Sequence, residues 1–185
     1  MLDEFINTFF YSFLLPIKEG FQIFVWSNAF YFSIPILFLL SIPHAIMRFF
    51  QVAKKIRTNY YGVLELFVWL SRLLQYSLIV FIGNDRPVGH LFLKQEWTNI
   101  FQGFNLIDSN QLIWGLVGYC IIFGIYNIIL HLVIRKNWTI RLYEKVFHSN
   151  TSNKEAVHSA TILVFKNLFL IPVSIIYLLK LFQFI

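Results

Sequence analysis

The chain of 185 residues is 58% hydrophobic and 19% aromatic, with only 13% charged residues, against roughly 45–50% apolar and about 25% charged in a soluble domain. That apolar excess falls in long runs and is more than one soluble core of this size can hide, so composition excludes an ordinary soluble domain and implies an integral membrane protein, with mean hydropathy +0.66. The formal net charge of +6 sits mostly in two connections, where it acts as a topology signal rather than a nucleic-acid footprint. Cys120 stands alone, so no disulfide can form within the chain. The opening Met1-Leu2-Asp3-Glu4 is acidic where a signal peptide needs a basic region, so no cleaved signal is expected.

In residues 4–18, Ile6, Phe9, Phe10, Phe13 and Ile17 recur at helical spacing, and Pro16 and Gly20 punctuate the run. It is shorter than the ~20 residues a span requires, so the expectation is an interfacial helix at about 4–17, with a re-entrant segment as the alternative. The first span is expected at about 21–43, kinked by Pro35 and closed by Pro43. A basic connection with Arg48, Lys54, Lys55 and Arg57 follows. The second span is expected at 62–83.

Asn84-Asp85-Arg86-Pro87 is turn chemistry. Leu93, Trp97, Ile100, Phe101 and Phe104 suggest a second interfacial helix at about 92–104. Asp108-Ser109-Asn110 offers cap oxygens for a third span at about 112–134, whose Gly115, Gly118 and Gly124 allow close helix approach. A second basic connection carries Arg135, Lys136, Arg141 and Lys145. Ser152 and Glu155 have capping-box spacing, so the last helix should begin near 153 and cross at about 160–183. No repeat or linker divides the chain. The expected architecture is all-α, a single transmembrane domain of four spans with one or two interfacial helices.

The 44–61 and 135–159 connections hold nine Lys/Arg and two acids, whereas the N-terminal segment and 84–111 hold three Lys/Arg and six acids. The positive-inside rule places the first pair in the cytoplasm, across a plasma or inner membrane.

The second span carries Glu65 and Arg72 inside its apolar run. Each costs at least about 2.5–3.5 kcal/mol in hydrocarbon if left unpartnered. Glu65 and Lys166 fall at similar expected depths, roughly 5–9 Å above the cytoplasmic edge, which suggests an interhelical pair supported by Asn127 or Asn167. Snorkelling of Lys166 to headgroups is the alternative. Arg72 lies seven residues beyond Glu65 on the same helical face, and Gln75 and Tyr76 continue that stripe. It would face a bundle interior, a water-filled cavity or a pathway, or clamp carbonyls of another helix or of another subunit. The candidate polar cluster is therefore Glu65, Arg72, Gln75, Asn127, Lys166 and Asn167. Lys180 should snorkel, and Trp26, Tyr60, Tyr61 and Trp114 fit an aromatic belt.

The chain has no P-loop, GxGxxG, HExxH or CxxC. His44, His131, His148 and His158 show no ligand spacing, so neither metal nor cofactor is expected. The sequons at Asn137 and Asn150 fall on the side where glycosylation does not occur. The basic loops suit anionic lipid better than RNA.

Three functional classes stay open. The leading expectation is a non-enzymatic membrane subunit, anchor or sensor that associates with itself or another protein. Small chains of this layout also serve in immunity or defence, an analogy of size alone. The alternative is a channel or transporter component moving ions or protons along Glu65, Arg72 and Lys166. A lipid-acting enzyme would need an acid or histidine cluster near one interface, and none is convincing.

Overall fold

The computed structural model describes residues 2–53, 61–102, 109–147 and 153–185. Its described residues form helices and turns without strands: α1 (Leu2–Ser33), α2 (Pro35–Ala53), α3 (Tyr61–Gly83), a 3-10 turn (Val88–His90), α4 (Lys94–Gln102), α5 (Ser109–Val133), α6 (Lys136–Phe147), α7 (Lys154–Phe165), a π turn (Lys166–Leu170) and α8 (Ile171–Leu181). Among the described residues, four stretches are long and apolar enough to cross a membrane: Pro35–Ala53, Gly62–Gly83, Gln111–Val133 and Lys154–Leu181. The chain is all-α, and its composition fits a small integral membrane protein.

Three of these helical stretches lie close to the positions expected for spans, and the first does not. Helix α1 runs unbroken through Pro16 and Gly20, so the separate interfacial helix at 4–17 is replaced by one long helix. The break comes at Ile34, inside the expected 21–43 span. A residue before proline is pushed out of the α region, and Pro35 then serves as a first helical residue, where its missing N–H costs nothing. Pro43 does not close the span; it sits within α2, which continues to Ala53 and makes the start of the expected 44–61 connection helical.

The second basic connection, expected as a loop, also contains a helix, α6. Helix α4 matches the expected interfacial helix closely. The last helix starts earlier than its expected membrane portion, at Lys154, and is capped by Asn153, whose side chain accepts from the Ala156 N–H at 2.9 Å. Ser152, the expected cap, lies outside the described residues, as do Lys54, Lys55, Arg57, Tyr60, Phe104, Asp108, His148 and Asn150.

The residues fall into two compact units: Met1–Ser33, Leu78–Ile125 and Val173–Ile185 form one, and Ile34–Ser77 with Tyr126–Pro172 the other. In the first, Tyr177 is fully buried. Its hydroxyl donates to the Gly115 carbonyl at 3.1 Å, and its ring packs against Tyr119 and Phe123 with centroids 5.5 and 5.6 Å away. Gly115 and Gly118 are where close approach is used. A Cβ on Gly115 would clash with the Leu181 side chain, and one on Gly20 would lie 3.1 Å from Gly118 Cα; one on Gly124 would have nothing within 4 Å. Lys180 places its ammonium 4.6 Å over the Trp26 ring, a cation–π contact that neutralises part of the cost of its position. Around the turn, Asp85 takes a left-handed conformation with φ 53, which Asp tolerates better than most residues. Trp97 packs on Phe81 with centroids 5.1 Å apart and donates its indole N–H to the Leu91 carbonyl at 2.8 Å.

In the second unit, α2 packs against α7 and the π turn, and α6 packs against α7. Phe49 of α2 meets Tyr143 and Phe147 of α6. Helix α6 buries Thr139, Ile140 and Tyr143, a spacing of one, three and four that marks one helical face.

Candidate functional site

Several polar residues of the second unit collect along facing stripes of α2 and α3. On α2 these are Ser41, His44, Arg48 and Gln51, spaced three, four and three; on α3 they are Glu65, Arg72 and Gln75, spaced seven and three. Both spacings keep the side chains on one helical face.

At one end of the seam, Arg48 donates to Glu65 Oε1 at 3.2 Å and to Gln51 Oε1 at 2.7 Å, while Gln51 donates to Glu65 Oε2 at 2.9 Å. Glu65 is thus held by α2. Lys166 makes no bond or ion pair with Glu65 among the described residues, which corrects the expected Glu65–Lys166 pair. The physical reason is the length of α2: because it runs past Pro43, Arg48 is helical, arrives at the depth of Glu65, and its guanidinium reaches first. Lys166 is half-buried, and Asn127 joins neither group of bonds.

At the other end, Arg72 is 3% exposed. Its guanidinium donates to Gln75 Oε1 at 2.6 Å and, through its other terminal nitrogen, to the Asn167 carbonyl at 3.0 Å and Asn167 Oδ1 at 3.1 Å. Gln75, fully buried, passes the connection on, donating to the Leu37 carbonyl at 2.5 Å and Ser41 Oγ at 2.7 Å. Three elements, α2, α3 and the π turn, are tied together by two side chains of α3. Asn167, Arg72 and Gln75 of the expected cluster do meet.

The Asn167 carbonyl is free to accept because of the residues that follow it. In an α-helix it would receive the Ile171 N–H, but that group bonds Lys166, five residues back. Pro172, the next candidate, has no N–H to offer. A π turn beside a proline leaves a carbonyl turned outward in apolar surroundings, where an unsatisfied acceptor is costly, and the arginine fork fills it.

His44 sits between the two ends of the seam on α2. It is buried, its ring lies edge-on to Trp69 at 6.4 Å, and its Nδ1 has no hydrogen-bond partner among the described residues. Its three-and-four spacing with Ser41 and Arg48 is the sequence signal that places it in the seam. Among the described residues no three His, Cys, Asp or Glu side chains converge as a metal site would require.

The Arg48–Glu65 pair is partly exposed, at 33% and 23%, so it should contribute little. Arg48→Gln is expected to lower unfolding stability by about 1 kcal/mol or less, and Lys166→Gln to leave it unchanged. Unfolding in detergent by denaturant titration decides this; a larger loss for Lys166→Gln than for Arg48→Gln would reinstate Lys166 as the partner of Glu65.

No protein-family model matches this chain, and neither a curated protein nor a solved structure is significantly similar to it, so its role rests on its own geometry.

Proposed function

We propose that the protein is a non-enzymatic integral membrane subunit, an anchor or sensor of a larger assembly, whose intramembrane charges hold its helices together rather than carry ions. The observation that supports this reading most is the engagement of Arg72. An arginine lining a route must exchange partners with the permeating ion, whereas this one is buried and donates to three acceptors on its own chain. The exposed Cys120 and the open Gly124 lie four residues apart on one face of α5, a smooth surface on which a second helix can pack.

Proton or ion translocation is the second reading, favoured by the unpartnered Nδ1 of His44 between Arg48 and Arg72. Reconstitution separates the two. Proteoliposomes of the intact protein should show no ion or proton flux above empty vesicles, and oxidative cross-linking through Cys120 should trap a homodimer or a partner. A clear flux that disappears in folded Arg72→Gln or His44→Gln variants would replace the subunit reading with the conduction one.

A further inference from the structure

The geometry points to a binding site for one anionic phospholipid on α6, headgroup and acyl chain taken by two adjoining cavities that share Trp138. The first cavity, of about 420 Å³, is lined by Arg135, Lys136, Asn137, Trp138 and Arg141. Lys136 is engaged by Glu155 of α7. Arg135 and Arg141 are exposed, and neither side chain has an ion-pair or hydrogen-bond partner among the described residues. The second cavity, of about 280 Å³, opens between α2, α6 and α7, and its walls include Phe49, Trp138, Leu142, Val146, Val164 and Phe165.

Each cavity alone has a bland occupant. A free phosphate suits the basic one, and any apolar chain suits the other. Side by side they fit a molecule with a phosphate at one end and hydrocarbon at the other. Guanidinium groups match phosphate oxygens in a planar, forked geometry that an ammonium lacks. The position agrees: α6 joins two stretches able to cross a membrane, Gln111–Val133 and Lys154–Leu181, so it lies where headgroups meet acyl chains. Trp138 is half-exposed and its amphipathic ring belongs at that boundary. Lipid diffuses to such a site laterally and at high local concentration, which a soluble anion does not.

Native mass spectrometry of the full-length protein, released from detergent with equal phosphatidylglycerol and phosphatidylcholine, tests this. Phosphatidylglycerol should be retained selectively. The Arg135→Gln/Arg141→Gln double variant should bind it about thirtyfold more weakly, at roughly fivefold per basic residue near a membrane surface. Both side chains are exposed, so an unchanged melting temperature in neutral detergent confirms the fold. Val164→Trp, which fills the apolar cavity, should also lose the lipid. The Lys145→Gln/Lys154→Gln variant removes the same charge outside both cavities and should bind normally. Equal weakening in that control, equal retention of the two lipids, or full displacement of phosphatidylglycerol by inorganic phosphate would each overturn the site.

Discussion

Replacing Arg72 by methionine should destabilise the protein by about 2–4 kcal/mol. Polar interactions between membrane helices average only about 0.6 kcal/mol, because the unfolded chain in the bilayer finds partners too; three such bonds give the lower figure. The upper figure comes from the acceptors left behind, since a buried, stranded acceptor costs about 1–3 kcal/mol. Lysine at the same position keeps the charge but not the fork and should recover only part of the loss. The sharpest form of this test uses Pro172. In the Arg72→Met background, Pro172→Ala supplies an N–H that can reach the stranded Asn167 carbonyl, so it should return about 1 kcal/mol. Unfolding in bicelles by steric trapping measures all three. Wild-type stability in Arg72→Met would show that the clamp contributes nothing to the fold.

The second large effect is expected at Gly20. A Cβ there would meet the Tyr177 hydroxyl at 2.9 Å, Gly118 Cα at 3.1 Å and Ile122 Cδ1 at 3.2 Å. The isoleucine tip can move. Tyr177 is held by its bond to the Gly115 carbonyl and by the Tyr119 and Phe123 rings, and the Gly118 contact is backbone. Overpacking such a site costs about 1–3 kcal/mol, so Gly20→Ala should fall in that range and Gly20→Val at its upper end or beyond. Gly124→Ala, with open space around it, should stay within about 0.5 kcal/mol of wild type. Thermal unfolding in detergent compares them. Adding Tyr177→Phe to Gly20→Ala should cost less than the sum of the two single changes, because removing the hydroxyl relieves the clash. Strict additivity would place the strain elsewhere.

How far the sequence could be read depended on the range of the physical cause. Hydropathy over twenty residues located α3, α5 and the last helix, and the N-cap chemistry around residue 153 placed the start of α7 within a residue. Prolines were harder. Pro43 sits inside a helix and Pro35 begins one, and the same residue type serves both purposes. Misplacing the end of α2 removed Arg48 and Gln51 from view as partners of Glu65 and turned attention to Lys166. The charges of the amphipathic α6 carry a topology signal that masks the helical face formed by Thr139, Ile140 and Tyr143.

The sequence by itself determined that this is a membrane-type, all-helical chain, and that Glu65 and Arg72 need partners there. Those conclusions follow from composition and from the cost of a charge in hydrocarbon, which do not depend on which helix lies next to which. Only the tertiary structure decided who the partners are: Arg48 and Gln51 for Glu65, and Asn167 for Arg72. Partner choice turns on differences of a few ångströms between helices far apart in sequence. In the case of Asn167 it turns on a carbonyl released by a π turn and a proline, a feature of backbone geometry that no pattern of side chains announces.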